Sequence, residues 1–234
     1  ANVRRICAGI ERAMRSMPDP ASSVPVVVGY DTRFLSRRFA EATAETLMGA
    51  GRRVLLADRP CPTPAASCQV VASGAPFGVV ITASHNPSSF NGVKVKDRTG
   101  SSAGPETTSA CETWIPDEAP PPIPFEEGHR RGLLEEGSFL PAHRDRLARM
   151  VDLGAIRSAG LKLVTDPMYG ACATLLQELL EGGATSVTTI HADADPLFGG
   201  LHPEPLEQNL DDLRGDVPAL GADAGFATDG DGDR

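Results

Sequence analysis

Short apolar runs, rich in β-branched residues, recur along the chain, and each one ends abruptly in a polar loop. They cover residues 24–29, 77–81, 161–165 and 224–228. Runs of this length between turn residues are typical of buried strands in a sheet that helices cover on both faces. In such sheets, ligand-binding and catalytic residues usually lie at the carboxyl ends of the strands. The pattern therefore predicts an α/β fold whose functional residues lie in the loops after these strands.

The two halves of the chain repeat one order of elements. In each half, a strand that ends at an aspartate is followed by a helix closed by glycines, a second strand and a third strand that opens into a polar loop. Between the halves, residues 116–124 include five prolines, which exclude regular structure beyond an extended segment. We therefore predict two structurally related α/β domains, residues 1–137 and residues 138–234, with a proline-rich linker over about 116–137.

The charge and cysteine content exclude several classes of partner. A net charge of −9 argues against binding to nucleic acid or to an anionic membrane surface. No apolar run approaches the roughly 18 residues that a membrane helix needs. The five cysteines are scattered and form no CxxC pair, which favours reduced thiols in a cytoplasmic protein.

The sequence DGDGDR, residues 229–234, places three carboxylates at alternate positions. Asp229, Asp231 and Asp233 are separated by glycines, which permit tight turns, and we expect the loop to be exposed. The three charges repel unless a cation neutralises them, and an all-oxygen ligand set suits Mg²⁺, Ca²⁺ or Mn²⁺ rather than Zn²⁺. The alternatives are a solvated acidic turn and the start of an EF-hand calcium loop. No helix pattern precedes the loop, which counts against the EF-hand.

The third strand of the first half opens into TASHNP, residues 82–87. Ser84 lies beside the imidazole of His85, and its hydroxyl could act as a nucleophile, carry a phosphoryl group or cap the turn at Asn86-Pro87. The GxSxG elbow of serine hydrolases is absent. An Asn91-Gly92 turn then brings Lys94 back towards Ser84. We expect a basic patch that suits an anionic substrate, although ordinary strand-edge charges remain the alternative for its last two members: His85, Lys94, Lys96 and Arg98.

TASHNP, the NGVK that follows it and DGDGDR resemble motifs of the α-D-phosphohexomutases, the phosphoglucomutase and phosphomannomutase superfamily. Other segments resemble the family along the whole chain: GYDTR (29–33), PTP (62–64), DPMYGA (166–171) and DPLFGGLHPEP (195–205). The resemblance implies three-layer α/β/α domains with mixed sheets, the first half of a four-domain architecture. The last of these segments resembles the glucose and mannose branch more than the phosphoglucosamine branch.

The resemblance also implies a role for each motif residue. Ser84 would be the phosphoserine that donates to a hexose phosphate and takes a phosphoryl group back from a bisphosphorylated intermediate. One Mg²⁺ ion would be held by an oxygen of that phosphate and by three carboxylates, Asp229, Asp231 and Asp233. His85 and Lys94 would assist proton transfer, with the general base left open between them, and Lys94 and Arg234 would bind phosphate. Glucose 1,6-bisphosphate or a similar compound would act as activator.

Three features of the family have no counterpart in these 234 residues. They are an N-terminal GTxGxRG-type motif, a sugar-discriminating loop of a third domain and a phosphate-binding loop of a fourth, and residues 99–103 depart mildly from the family's GGSA pattern. We therefore expect a fragment whose partners are sugar phosphates and the C-terminal domains of the same protein. Three hypotheses follow: a glucose or mannose phosphate mutase (alternatively a phosphoglucosamine mutase), a Mg²⁺-dependent phosphatase or hydrolase, and a non-catalytic phosphosugar-binding fragment.

Overall fold

The computed structural model describes residues 2–16 and 23–234. The strands are β1 Val26–Tyr30, β2 Val54–Ala57, β3 Phe77–Ile81, β4 Val93–Asp97, β5 Leu134–Gly137, β6 Lys162–Asp166, β7 Ser186–Thr189 and β8 Ala224–Ala227. The α-helices are α1 Asn2–Arg15, α2 Ser36–Gly49, α3 Thr63–Ser73, α4 Pro105–Thr113, α5 Phe125–Arg130, α6 Leu140–Met150, α7 Leu153–Ser158, α8 Leu175–Leu180 and α9 Asp211–Ala219. Short 3₁₀ helices, Phe198–Gly200 and Glu207–Asn209, lie between β7 and α9. Over the described residues, none of the helices combines the length and the hydropathy required to cross a lipid bilayer.

Five strands form the first sheet, in the order β4-β3-β1-β2-β5. The sheet is mixed, because β4 runs antiparallel to β3 whereas the other strands pair in parallel. Every residue of β1 and β3 is buried, as the continuous apolar runs predict, and α2 and α3 pack against these strands. Since β1 and β3 are parallel neighbours, the loops after them lie side by side. The backbone N–H of Asp31 accordingly donates to the carbonyl of Ile81 at 3.1 Å.

Three parallel strands form the second sheet, in the order β7-β6-β8. Helix α8 packs against β7, and α9 packs against β6 and β8. The carboxyl ends of β6 and β8 are adjacent, and the N–H of Thr228 donates to the carbonyl of Asp166 at 3.0 Å. This pairing places the DGDGDR loop, which follows β8, at the same edge as the DPMYGA segment that follows β6.

The predicted linker is too long. Residues 116–124 contain no helix or strand, as the prolines predict, but residues 125–137 form α5 and β5. Strand β5 pairs in parallel with β2 and completes the first sheet. Its sequence, LEEG, carries one apolar side chain, Leu134, which is buried, whereas the two glutamates are exposed. An edge strand this short and polar has no recognisable sequence pattern, which is why the linker prediction is wrong for these residues.

The leucine-rich sequence of residues 171–181 has a helical pattern, but α8 is shorter and begins only at Leu175. The N–H of Ala171 donates to the carbonyl of Gly230 at 3.0 Å, and Ala173 has a φ of 43°, so the chain turns before Leu175. The sequence pattern does not predict α1, α7 or α9, and α9 includes Gly215 and Pro218, both poor helix formers. Helix α6 packs against α3, so the segment after residue 138 stays in contact with the helical layer of the first sheet.

Candidate active site

Ser84 lies in the turn after β3 in a backbone conformation that few residues other than glycine adopt. Its φ is 54°, and its N–H donates to Thr82 Oγ1 at 2.8 Å. Holding a non-glycine residue in this region costs on the order of 1 kcal/mol, so neighbouring groups must impose it. The turn itself is closed by the N–H of Asn86, which donates to the carbonyl of Ala83. The Ser84 hydroxyl instead donates to Asp229 Oδ2 at 3.0 Å, in the loop after β8.

Arg33 holds residues 82–90, which we call the serine loop, in this shape. From the sequence alone, Arg33 is identified only as a member of the GYDTR motif. Its side chain is fully buried and donates to four carbonyl oxygens of the loop. Nη2 donates to Ser84 and Asn86 at 2.5 and 2.6 Å, and Nη1 to Pro87 and Phe90 at 2.8 and 3.1 Å. The planar fork of a guanidinium can satisfy several acceptors at fixed angles, which a lysine cannot do. Arg33 is therefore a positioning residue for Ser84.

Asp31 fixes Arg33 from the opposite side. Its Oδ2 accepts from Arg33 Nε at 3.0 Å and from Thr82 Oγ1 at 2.7 Å, and its Oδ1 accepts from Ser36 Oγ at 2.7 Å. Burial raises the pKa of Asp31, and the hydrogen bonds from Ser36 and Thr82 and the charge of Arg33 oppose this rise. Buried ion pairs contribute little net stability, but they fix orientation when all their partners are in place. The pair thus links β1, α2 and the serine loop.

Residues 229–234, DGDGDR, form a loop at the carboxyl end of β8 that we call the acidic loop. Its three aspartates lie together. One carboxylate oxygen from each of Asp229, Asp231 and Asp233 lies within 4.8 Å of the others. Asp229 Oδ1 accepts from the N–H groups of Asp233 and Arg234, at 3.0 and 3.2 Å. The loop is not exposed as predicted: Asp229 and Asp231 are both 0% exposed, because residues of the first half cover them, and only Asp233 reaches solvent.

The two glycines of this loop are required for different reasons. Gly232 has a φ of 67° and therefore needs the left-handed freedom that the sequence pattern suggests for both. Gly230 has no positive φ, but a Cβ at this position would lie 3.0 Å from the carbonyl oxygen of Ser84 and 3.1 Å from the ring of Phe198. A side chain at position 230 would thus push the acidic loop away from the serine loop.

Lys94 reaches the acidic loop from β4. Its Nζ donates to Asp231 Oδ2 and to Asp233 Oδ2, each at 2.7 Å. Burial acts to lower the pKa of Lys94, but the hydrogen bonds and charges of the two aspartates outweigh burial and raise it. Lys94 thus lies at the site, but Asn91-Gly92 does not form the predicted turn: the chain reverses over residues 84–89, and the carbonyl of Gly92 accepts from the N–H of Thr82 beside the paired strands β3 and β4.

Thr63, at the start of α3, supports the same carboxylate. Its hydroxyl donates to Asp231 Oδ2 at 2.5 Å, and its N–H donates to the carbonyl of Asp231 at 2.8 Å. The positive end of the helix dipole favours a carboxylate at this position. Burial acts to raise the pKa of Asp231, but the hydrogen bonds from Lys94 and Thr63 and the Lys94 charge lower it. The PTP motif, to which sequence alone gives no role, therefore anchors the acidic loop.

The acidic loop fits a divalent cation that prefers oxygen ligands. Burial, followed by the charges of Asp231 and Asp233, raises the pKa of Asp229 to about 6. Asp231 Oδ1 is buried and has no hydrogen-bond partner within the described part of the chain. A bound cation would neutralise the repelling carboxylates and give the unpaired Asp231 Oδ1 a partner. An all-carboxylate donor set suits Mg²⁺ or Mn²⁺. The residues present therefore fit the predicted metal.

His85, the residue after Ser84, faces a glutamate that the sequence pattern does not single out. Its Nε2 is 3.7 Å from Glu204 Oε1, and among the described residues its buried Nδ1 has no hydrogen-bond partner. The same glutamate lies 3.6 Å from Arg234 Nη1 and 3.8 Å from His202 Nδ1. Glu204, from the PEP segment, therefore connects two predicted site residues across the two halves of the chain.

The predicted basic patch does not form as one surface. Lys94 is paired with aspartates and His85 faces Glu204, as described above. Lys96 is only 5% exposed, and its Nζ donates to Ser102 Oγ at 3.1 Å. Burial and the charge of Lys94 lower its pKa. Arg98 lies exposed in the turn after β4. Lys96 is therefore a buried structural lysine rather than the exposed strand-edge charge that the sequence suggests.

Two further contacts join the halves beside the site. The guanidinium of Arg33 lies 4.9 Å from the ring centroid of Phe198, which comes from the DPLFGG segment and is fully buried. The hydroxyl of Thr32 donates to the carbonyl of Tyr169 at 3.2 Å, in DPMYGA. The motif segments of the second half thus pack directly on GYDTR of the first half.

A serine loop that meets an acidic loop across two α/β units defines the class of this protein. Residues 1–120 match the family described as phosphoglucomutase/phosphomannomutase, alpha/beta/alpha domain I, and residues 141–234 match alpha/beta/alpha domain II of the same family. The chain belongs to the phosphoglucomutase/phosphomannomutase family. These matches and the mixed first sheet confirm the predicted family and fold class.

Relatives with different names within the family resemble the chain to a similar degree. A phosphoglucosamine mutase of Frankia casuarinae is 35% identical over 98% of this chain and 48% of its own length. A phosphoglucomutase/phosphomannomutase of Thermococcus kodakarensis is 33% identical over 89% of this chain and 45% of its own length. A crystal structure from Thermus thermophilus, described provisionally as a phosphomannomutase, matches 100% of this chain and 52% of its own with a TM-score of 0.87 and 34% identity. The chain spans about half the length of the curated relatives it matches.

Proposed function

We propose that this chain is part of a phosphohexomutase that interconverts hexose 1-phosphate and hexose 6-phosphate through a phosphorylated Ser84. The observation that carries the proposal is the 3.0 Å contact between Ser84 Oγ and Asp229 Oδ2, which joins the serine loop of one sheet to the acidic loop of the other. Family membership supports the reaction class. Because the chain spans half of its relatives, further domains of the same protein would complete the sugar site.

Each half-reaction would move one phosphoryl group between Ser84 Oγ and a sugar hydroxyl. The hydroxyl oxygen forms a bond to phosphorus while the P–Oγ bond breaks, and the hydroxyl proton passes to a general base, for which His85 and Lys94 are the two candidates. The aspartates beside Lys94 raise its pKa and keep it protonated, which favours His85 as the proton acceptor. After the bisphosphorylated sugar reorients, its other phosphoryl group returns to Ser84 Oγ. Phosphoryl transfer depends on positioning and charge neutralisation, which Arg33 supplies by shaping the loop and Lys94 and Arg234 by their charges.

A bound Mg²⁺ would neutralise further charge on the transferred group. Its ligands would be an oxygen of the Ser84 phosphate and the three carboxylates Asp229, Asp231 and Asp233. Glucose 1,6-bisphosphate or a similar compound would supply the first phosphoryl group to an unmodified Ser84. The unpaired state of all five cysteines, four of them buried, supports a cytoplasmic location.

Phosphorylation of Ser84 tests the proposal directly. We expect that incubation with glucose 1,6-bisphosphate and Mg²⁺ adds one phosphate to the peptide that contains Ser84, detected by mass spectrometry. Ser84→Ala should stay unmodified, whereas Ser89→Ala, a matched change in the same loop, should be labelled like the natural sequence. An unmodified Ser84 peptide after this incubation would rule the mechanism out.

Glucose and mannose phosphates are the proposed substrates, with glucosamine phosphate as the alternative. The DPLFGG segment favours the first two, whereas relatives with each name resemble the chain to similar degrees. Isomerisation rates of the complete protein on the 1-phosphates of glucose, mannose and glucosamine decide between them. A rate for glucosamine 1-phosphate well above the other two would select the alternative.

Two other functions give different products. A Mg²⁺-dependent phosphatase would release inorganic phosphate from sugar phosphates at the rate of turnover, whereas a mutase would only isomerise them. A non-catalytic phosphosugar-binding fragment would bind sugar phosphates without converting them. Isomerisation of glucose 1-phosphate by the isolated 234-residue chain at an ordinary enzymatic rate would exclude this last function.

A further inference from the structure

A cavity separate from the candidate active site lies between α3, the turn that follows β4, and α6. Its volume is about 760 Å³, and none of the residues of the serine loop or the acidic loop lines it. Pockets for small ligands commonly have volumes of about 300–1,000 Å³ and often lie between domains. Here α3 and the turn belong to the first family match, and α6 belongs almost wholly to the second. The cavity is thus of the right size and in a typical place for a ligand.

The walls of this cavity carry excess positive charge. Arg146 and Arg149 project from α6, with Asp145 as the acidic residue beside them. Within the described part of the chain, neither arginine forms an ion pair with a carboxylate. On a helix, positions three apart lie on one face, so the two guanidiniums can approach one bound group together. Two planar forks side by side match the oxygens of a phosphate group.

The opposite wall carries hydroxyl groups among apolar side chains, which include Val71 and Ala72 of α3. Ser67 of α3 and Ser101 of the turn bring hydroxyl groups to the cavity. The turn is held against α3 at Gly100, where a Cβ would lie 2.6 Å from the carbonyl oxygen of Ser67. The N–H of Ser101 donates to Asp97 Oδ1 at 3.2 Å. Donors on a fixed wall that face two arginines form a site for an anion that is larger than phosphate alone.

Cys68 lies in the same wall, and the charges of the two arginines influence the pKa of its thiol. Burial raises the pKa of its thiol, and the charges of Arg146 and Arg149 oppose the rise. The other four cysteines are buried, so Cys68 is the most accessible thiol of the chain. It therefore provides a chemical probe inside the cavity that does not depend on the active site.

We propose that the cavity between α3, the β4 turn and α6 is a binding site for a small phosphorylated molecule, whose phosphate lies between Arg146 and Arg149. The site contacts the same elements as the candidate active site. Helix α3 begins at Thr63, which holds Asp231, and β4 carries Lys94. A ligand in this cavity would therefore contact α3 and the turn that directly follows β4.

Protection of Cys68 tests the proposal, with inorganic pyrophosphate as the probe. We expect pyrophosphate to slow the alkylation of Cys68 by iodoacetamide several-fold, measured on the Cys68 peptide by mass spectrometry. The anionic reagent iodoacetate should react several-fold faster relative to iodoacetamide at Cys68 than it does with a free thiol in solution. Both effects should disappear in the double variant Arg146→Gln/Arg149→Gln. Equal protection of this variant and the natural sequence, or no protection of either, would overturn the proposal.

Three further variants separate this site from other effects. Arg130→Gln/Arg131→Gln makes the same change of charge beside the opposite edge of the first sheet, and protection should be unchanged. Asp145→Asn removes the acidic residue from the wall, and protection should require less pyrophosphate. Ser84→Ala disables the proposed mutase site but should leave protection of Cys68 intact. Loss of protection in Ser84→Ala would mean that pyrophosphate acts through the active site, which contradicts the proposal.

Discussion

The conformation of Ser84 depends on the carbonyl contacts of Arg33. For Arg33→Lys we expect a loss of about 1–3 kcal/mol in the free energy of unfolding, because the variant keeps the charge beside Asp31 but leaves loop carbonyls without donors. We also expect slower phosphorylation of Ser84 by glucose 1,6-bisphosphate. Denaturant unfolding and mass spectrometry measure the two effects. Arg38→Lys, a change at an exposed arginine of the next helix, is the control. Phosphorylation of Arg33→Lys at the natural rate would show that the carbonyl contacts do not position Ser84.

Asp231 combines a metal-binding role with a buried position. For Asp231→Asn we expect Mg²⁺ binding to be lost and the melting temperature of the metal-free protein to fall moderately. The contacts of the charged Asp231 with Lys94 and Thr63 lower its pKa, so a neutral side chain loses part of that stabilisation, although the change also removes one of three repelling charges. Calorimetric titration with Mg²⁺ and a thermal melt check this expectation. Asp233→Asn, at the exposed end of the loop, should weaken binding less. Retained Mg²⁺ affinity, or a melting temperature that rises, for Asp231→Asn would contradict the assignment.

Residues whose chemistry is visible in a short motif could be predicted from sequence, and residues that act through distant contacts could not. Ser84 and Asp229 stand in motifs with specific spacing, and the structure brings their side chains together. Arg33, Thr63 and Glu204 act on partners that are 51 to 168 positions away in the chain. Their motifs are visible, but the partner of each depends on how the two sheets are placed. Burial of the acidic loop is invisible to sequence for the same reason, because its cover comes from the other half.

At the scale of elements, apolar periodicity predicts the buried strands well and the edge of the sheet poorly. Strand β3 has the predicted bounds, since all five of its residues are buried and apolar or glycine. Strand β5 has one buried side chain, and its place is fixed by pairing with β2 rather than by its own sequence. Helix α8 begins late because Ala171 donates to Gly230 in another loop. Tertiary hydrogen bonds thus decide the elements for which local preference is weak.

Helix α6 carries a buried histidine that makes the packing of this element sensitive to acid. Burial lowers the pKa of His143 below its usual value of 6.5. The unfolded chain therefore binds a proton at higher pH than the folded chain, so the stabilisation from a neutral His143 is complete above pH 6.5 and is lost as the pH falls through the lower folded pKa. We expect the melting temperature of the natural chain to fall more between about pH 7 and pH 5 than that of His143→Leu.

The contrast between buried and exposed histidines provides the control. Among the described residues, His143 Nδ1 has no hydrogen-bond partner, so an apolar side chain of similar size should be tolerated. His129 lies on α5 with its side chain 37% exposed and near Glu136, and His129→Leu should not reduce the acid sensitivity. Identical pH dependence of His143→Leu and the natural chain would show that His143 is not the source of the effect.

At the scale of the whole molecule, the candidate site is built where the two sheets meet. The carboxyl ends of β3 and β8 deliver Ser84 and Asp229 to each other, and Lys94 and Thr63 reach across to Asp231. Gly230 permits the close approach, and Phe198 covers Arg33 from the second half. A cation held by the acidic loop would therefore strengthen the contact between the halves as well as the loop itself. Metal binding is expected to raise the stability of the whole chain.

The pKa of Asp229 sets the pH dependence of that stabilisation. In the metal-free protein this pKa is raised from 3.8 to about 6, so the contribution of Asp229 to stability is complete below pH 3.8 and is lost as the pH rises through about 6. Mg²⁺ binds the deprotonated carboxylate, so its affinity should fall by up to about tenfold for each pH unit below the pKa of Asp229. The difference in melting temperature between samples with and without Mg²⁺ should therefore grow from about pH 5 to about pH 7.

Asp233→Asn should shift the rise to lower pH, because the Asp233 charge helps to raise the pKa of Asp229. A difference that stays constant over this range would show that Asp229 is not a ligand whose protonation competes with the metal.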